Sequence, residues 1–389
     1  MGSGKSSWAI STLFNETQEE SILYIGPTLD EDNRIIEQSQ RKFYTPENRG
    51  GGKLGNISGL LNSGVDIAST HELFRRFDKR CKEALFKNKY ILVLDETISA
   101  VEPYHFTKKD DFPYLLTKND VRVNDDGLVE WIGSDLDTRF DDVRLLAKNK
   151  CLFRVDDKFF LWHYPCDIFS LFDQVFILTY NFDGSLMAPY FKLYNISYNV
   201  KSVKEVNGKY CLCDYFPPKK SLFRDRIKVY EGNLNTNIGS KENVLSSTWS
   251  KSKYYSSNRK TLKNNFSNFS RHIVGAKGNE ILWTCFKSAK SELQGKGYSK
   301  RFLACNARAT NDYQDATCLM YGANIYKHPE IIKFFAQHGI TVDQDALALN
   351  TLLQWVWRSN IRVKDSTKII NVYIPSERMR KLFNQWLNS

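Results

Sequence analysis

Three short stretches hold residues whose types and spacing suit nucleotide chemistry. Met1-Gly2-Ser3-Gly4-Lys5-Ser6-Ser7 contains a Gly-x-Gly-Lys-Ser core. Glycines let backbone N–H groups close on phosphate oxygens, a lysine reaches the outer phosphates, and a serine hydroxyl reaches Mg2+. Ile91-Leu92-Val93-Leu94-Asp95-Glu96 is an apolar run that delivers two acids at its end, suited to a metal and a water. Gln354, Arg358 and Arg362 are spaced four and four inside a helix expected from about Asp345, so one helical face would present an amide and two guanidinium forks to a polyanion. Each has a bland reading: a glycine-serine start, a strand ending in acids, the wet stripe of a helix. Together, a phosphate loop, an acid pair and a distant arginine helix describe a two-lobed ATP motor.

The elements that must position them alternate between strand and helix. After the loop, Trp8 to Leu13 reads as a helix, Ser21 to Ile25 as a buried strand and Gly26-Pro27-Thr28 as the turn that ends it. A glycine-rich loop from Gly50 to Gly64 precedes a strand at Val65 to Ala68, closed by Ser69-Thr70-His71, and one helix runs from Glu72 to about Phe86. This alternation predicts a parallel sheet with Pro27, Thr28, Thr70, His71 and the acid pair on one rim. Asp110 to Lys158 is an insertion with a hairpin turn at Asn124 to Gly127, and Asp173 to Leu178 is a further strand. The chain divides into residues 1–186 and 187–389. In the second part, strands are expected at Glu280–Thr284, Arg301–Cys305, Cys318–Tyr321 and Ile369–Tyr373, with helices at Lys287–Leu293, Pro329–His338 and from Pro375. Lysines interleaved with Tyr254, Tyr255, Phe266 and Phe269 would meet phosphates and stack bases, or form an amphipathic helix with a wet basic face.

A length of 389 residues exceeds one ordinary core. The net charge of +11 calls for an anionic partner, nucleic acid or a membrane surface, but no apolar run is long enough to span a bilayer. The eight cysteines are scattered, with Cys211-Leu212-Cys213 the one close pair, which reads as reduced thiols in a cytosolic protein rather than a zinc site.

The ordered set resembles a superfamily 2 DNA helicase with two RecA-like lobes. Met1–Ser7 is similar to its motif I, Gly26-Pro27-Thr28 to motif Ia, Asp95-Glu96-Thr97-Ile98 to motif II and Leu178-Thr179-Tyr180 to motif III; Leu282-Trp283-Thr284 is similar to motif IV, Ala304 to Asn311 to motif V and Gln354 to Arg362 to motif VI. The resemblance covers nearly the whole chain and is closest to the phage and viral helicases grouped with replication-origin-binding proteins. It implies an α/β fold of two P-loop domains, with ATP and Mg2+ as cofactors. In that scheme Gly2, Ser3, Gly4, Lys5, Ser6 and Ser7 cradle phosphates, Ser6 and Asp95 hold the metal, and Glu96 polarises water. Gln354, Arg358 and Arg362 stabilise the γ-phosphate. Pro27, Thr28, Thr70, His71, Thr284, Arg308 and Thr310 touch DNA, single-stranded or forked. Replication proteins as partners and a bacterial host cytoplasm follow from the same resemblance. The sequence departs from the family in motif III, which lacks Ser/Thr-Ala-Thr, and in motif VI, where Trp357 and Ile361 stand at the usual glycine and arginine places.

Two rivals compete with this expectation. One is a packaging-type, terminase-like ATPase with an attached nuclease, which needs a late acid cluster; Asp343 and Asp345 are the close pair there and read as a helix start. The other is a non-catalytic nucleic-acid-binding remnant. Only Met1 stands before Gly2, so the strand that normally enters a phosphate loop cannot come from this sequence. The expectation is a longer true product or a weakly ATP-binding one.

Overall fold

The computed structural model describes residues 4–17, 19–49, 51–136, 138–157, 159–217, 220–238, 242–307, 312–363 and 365–389. They form two compact units. The first comprises residues 3–214 together with 328–342, the second 215–327 together with 343–389. The division thus falls after Asp214, where the sequence reading placed it after residue 186. The helix Pro329–Gln337, expected in the second part, belongs to the first unit.

In the first unit, β1 (Ser21–Gly26), β2 (Ile67–Thr70) and β3 (Tyr90–Asp95) join β9 (Gln174–Leu178) in an all-parallel sheet of order β2-β1-β3-β9. β1 and β3 are buried nearly throughout, as continuous apolar runs in a parallel sheet should be. Ile22, Tyr24, Ile91 and Val93 pack with Trp8, Leu13, Phe14 and Ile35, so the helical run Lys5–Glu16 and the helix Leu29–Gln38 cover one face. The helix read as continuous from Glu72 breaks in two, His71–Phe74 and Lys79–Lys87, because Asp78 leaves helical geometry and its carboxylate caps Cys81 N at 3.1 Å.

Between β3 and β9 lies a separate layer. β4 (Val101–Tyr104), β7 (Leu152–Arg154) and β8 (Phe160–His163) form an antiparallel sheet, and β5 (Val121–Val123) pairs with β6 (Val129–Trp131). The hairpin turn read at Asn124–Gly127 is there: Gly127 has φ 84°, and a side chain on it would strike Arg154 O. Phe112, Leu115, Phe140, Val143 and Leu152 give this layer its own core. The antiparallel hairpin β10 (Lys201–Val206) and β11 (Lys209–Asp214) completes the unit, with Val203 and Tyr210 packed beside Trp8 and Phe176.

The second unit is built on β12 (Ile227–Val229), β13 (Ile281–Cys285), β14 (Cys318–Gly322) and β15 (Ile370–Tyr373), parallel in the order β12-β15-β14-β13. Register puts Trp283, Met320 and Tyr373 on one face, packed under the helix Ser256–Asn268, and Leu282, Leu319 and Val372 on the other. Tyr321 stacks edge-on against Trp355 at 5.3 Å, so the helix Gln344–Val356 covers that second face. The strand expected at Arg301–Cys305 does not form. Arg301 ends a single 3-10 turn, and Phe302 makes only one bridge, to Trp283. Phe266 and Phe269 are core residues, not stacking platforms.

Candidate nucleotide site

Gly4 takes φ 78°, ψ 15°, a left-handed conformation that only glycine adopts cheaply. It sets the start of the helical run from Lys5, and Trp8 N donates to Gly4 O at 2.7 Å. The run widens to a π turn over Ala9–Leu13. Here Thr12 Oγ1 donates to Tyr210 O at 2.6 Å, while Ser11 Oγ donates to Ser7 O at 2.7 Å. Hydroxyls that bind backbone in this way loosen a helix locally, and π turns gather at functional sites. Tyr210 also lies against the loop itself: a Cβ built on Gly4 would sit 2.5 Å from its ring. Ser6 is half-buried and Ser7 exposed, while Gly2 and Ser3 lie outside the described residues.

Register places Thr70, Gly26 and Asp95 on successive strand ends. Asp95 is buried, and Tyr24 Oη donates to its Oδ2 at 2.6 Å, with Arg34 Nη2 3.9 Å from the same oxygen. Burial pushes the Asp95 carboxyl up to about 6; Glu96 and Glu31 push the same way, while the Tyr24 hydrogen bond and Arg34 oppose. Burial also lowers the Lys5 ammonium, and the charges of Asp95 and Glu96 pull it back, so both acids lie within electrostatic reach of the lysine. Glu96 holds φ 67°, rare for a side-chain-bearing residue and typical of backbone strain held at functional sites. His71 Nε2–H donates to Asp95 O at 3.0 Å, tying the second strand end to the acid.

Thr28 and Thr70 serve the fold: Glu31 N and Leu73 N donate to their hydroxyls at 3.4 Å, which caps the helices that follow. With Pro27 they remain half-exposed at the rim. Thr284 is fully buried at the end of β13, opposite Tyr321, and presents no surface to a nucleic acid, which corrects that expectation. Arg308 and Thr310 lie outside the described residues.

The arginine stripe is also corrected. The helix stops at Val356, and Ser359 takes extended geometry (φ −90°, ψ −169°) and caps a new 3-10 turn at Asn360–Arg362. Asn360 fixes this break: its N–H donates to Ala316 O at 3.0 Å and its side chain to Gln314 O at 2.8 Å. Gln354, Arg358 and Arg362 therefore do not share a helical face. Gln354 and Arg358 are half-buried and Arg362 is exposed. Asp343 caps the helix and Asp345 pairs with Arg378 at 2.6 Å, as a helix start rather than a metal pair.

Sequence reasoning missed Tyr24, Glu31, Asp32 and Arg34. A tyrosine in an otherwise aliphatic strand, two residues before its end, was the available signal. Among the described residues no cluster of three or more His, Cys, Asp or Glu is placed to hold a metal, and no helix is long and apolar enough to cross a membrane. One hydroxyl and one or two carboxylates nevertheless fit Mg2+, which keeps waters and takes phosphate oxygens.

Two family models match the sequence. One is described as the YonV C-terminal Rossmann-like domain, over residues 221–387, and the other as the YonV middle domain, over residues 101–162. The SPbeta prophage-derived uncharacterized protein YonV of Bacillus subtilis (strain 168) is 37% identical over 406 residues, spanning 100% of this chain and 97% of that protein. Among solved structures, S. tokodaii Xpd4 is 12% identical with a TM-score of 0.46, over 99% of this chain and 92% of that one. A chain described as XPD_Helicase is 12% identical with a TM-score of 0.47, over 100% and 94%.

Proposed function

The chain belongs to the family of the prophage protein YonV, and from that premise we propose that it is an ATP-dependent DNA helicase or translocase of superfamily 2, acting in phage or mobile-element DNA replication within a bacterial host. What supports the reading is that Asp95 and Glu96, at the end of a buried strand, act electrostatically on Lys5 at the start of the first helical run. Gly4 and Lys5 would bind the phosphates of ATP. Ser6 and Asp95 would hold Mg2+, which when bound supplies charge neutralisation at the phosphates. Tyr24 and Arg34 fix the Asp95 carboxylate, so the oxygen offered to the metal is pre-oriented. Glu96, held by its own backbone conformation, would take a hydrogen bond from the attacking water. Gln354, Arg358 and Arg362 are assigned to phosphate charge by the resemblance alone, and Pro27, Thr28, Thr70 and His71 to DNA.

The test is ATP hydrolysis by the full chain with and without single-stranded DNA. Hydrolysis should rise when DNA is added. Glu96→Gln should cut turnover by ~10²–10⁴-fold, the usual worth of a positioned base, with ATP still bound. Lys5→Ala should lose binding itself. Wild-type turnover in the Glu96→Gln chain would sink the assignment.

A further inference from the structure

Charge is divided unequally between the two units. Residues 3–214 with 328–342 carry 28 Lys and Arg against 33 Asp and Glu, whereas 215–327 with 343–389 carry 27 against 11, a net of −5 beside +16. Within the second unit the excess is concentrated again. From Lys251 to Arg301, twelve Lys and Arg stand against Glu280 and Glu292. Both acids are engaged: Glu280 accepts from Lys277 N at 2.8 Å, and Glu292 pairs with the buried Arg259 at 2.7 Å. Apart from Arg259, these cations have no ion-pair partner among the described residues.

Side-chain bonds assemble the stretch into one layer. Ser250 and Ser288 share a 2.7 Å hydroxyl bond that brings the end of the helix Ser247–Lys251 to the turn Lys287–Ala289. The Arg259–Glu292 pair joins the helix Ser256–Asn268 to Lys290–Leu293. Arg271 donates to Lys296 O and Tyr298 Oη to Lys263 O, closing the far end. Leu262, Phe266, Phe269 and Leu293 turn inward on the sheet, while Lys251, Lys253, Lys260, Lys287, Lys290 and Lys296 are exposed. The Tyr254 ring, 80% exposed, stands beside Lys253. The helical run from Ser256 through Ile273 is about 27 Å long at 1.5 Å per residue, long enough to lie along several phosphates of one strand.

A concentration of cations without acid partners repels itself and destabilises the unit that bears it, so its match is a polyanion. We propose that this outer layer, from Lys251 to Lys300, is a docking surface for single-stranded nucleic acid, additional to the strand-end positions Pro27, Thr28, Thr70 and His71. The cations track the phosphates and Tyr254 offers a stacking face for a base. The inference rests on the nucleic-acid half of the reading above and does not depend on hydrolysis.

The test is a binding titration of the full chain, without nucleotide, against labelled single-stranded DNA, its duplex and single-stranded RNA across a salt series. Lys253→Gln with Lys260→Gln should weaken all three and flatten the salt slope for the single strands by about 1.4, two contacts' worth. Lys253→Arg with Lys260→Arg should restore the slope. Tyr254→Ala should weaken the single strands roughly tenfold and the duplex little. Lys79→Gln with Lys87→Gln, exposed cations of the acidic unit, should leave the slope unchanged. Wild-type binding by the Lys253/Lys260 glutamine pair would overturn the proposal, as would an equal loss from the Lys79/Lys87 pair or tighter binding to poly-glutamate than to DNA. A chain that never hydrolyses ATP but shows the expected slopes would sink the enzymatic reading and leave this surface standing.

Discussion

A carboxyl buried beside Gly26, with Glu31 and Asp95 close by, is badly placed to ionise. Asp32 is such a group: burial first, and then those two acids, push it up to about 7, the Gly26 backbone only partly offsetting them. Its folded pKa therefore lies above its unfolded value of 3.8. The stability it contributes is complete below the unfolded value and is lost as pH rises through about 7. His163 works the other way, since burial pulls it down to about 4, so the informative quantity is the difference between variant and parent at each pH. Asp32→Asn should be near neutral at pH 4 and stabilising by on the order of 2–4 kcal/mol at pH 8, read by urea unfolding. A difference that does not change with pH would show that Asp32 keeps an ordinary pKa. Asp95 and Glu96 were legible in the sequence because an unbroken apolar run can only be a buried strand, and its end must face solvent or a site. Asp32 and Tyr24 were not, because what makes them matter is a neighbour from another element.

At the scale of elements, the loop and helix from Gly4 were legible, but the hairpin that holds them was not. β10 and β11 lie past residue 186, where the sequence reading ends the first domain, and nothing local says that Tyr210 returns to lie on Gly4. The contact makes a coupled prediction. Gly4→Ala meets two penalties, a left-handed backbone costing ~1–2 kcal/mol and a collision with the Tyr210 ring. In a Tyr210→Ala background only the first remains, so the two changes should be non-additive by roughly 0.5–3 kcal/mol in ATP affinity and thermal stability. Strict additivity would mean that the ring does not brace the loop. The arginine helix failed at the same scale. Four-residue spacing predicts a shared face only while the helix continues; Ser359 leaves helical geometry and Asn360 fixes the break through bonds to Ala316 and Gln314, residues about 45 positions earlier.

For the whole molecule, the sequence supports two α/β units and their alternation of strands and helices, but it suggests that each is one continuous segment. The helix Pro329–Gln337 breaks that assumption. Its start signal, proline after a capping residue, and its glycine stop were readable, and the helix forms where expected. Its place was not, because periodicity shows that a face must be buried and never against what. In the structure, Phe334 is buried and meets Phe153 of β7 edge-on at 5.4 Å, His328 stacks on Phe159 at 4.5 Å, and Lys333 lies 4.0 Å from Asp156. The middle layer, built from residues near 150, thus draws part of its core from a segment near 330. Phe334→Ala should cost ~3–5 kcal/mol, the usual toll for emptying a buried phenylalanine site. The decisive readout is where the loss falls. Hydrogen exchange should speed up at the amides of β7 and β8, far away in sequence, while β14 and β15, nearer in sequence but in the other unit, keep their protection. Acceleration confined to β14 and β15, with β7 and β8 unchanged, would return this helix to the unit that its sequence position suggests.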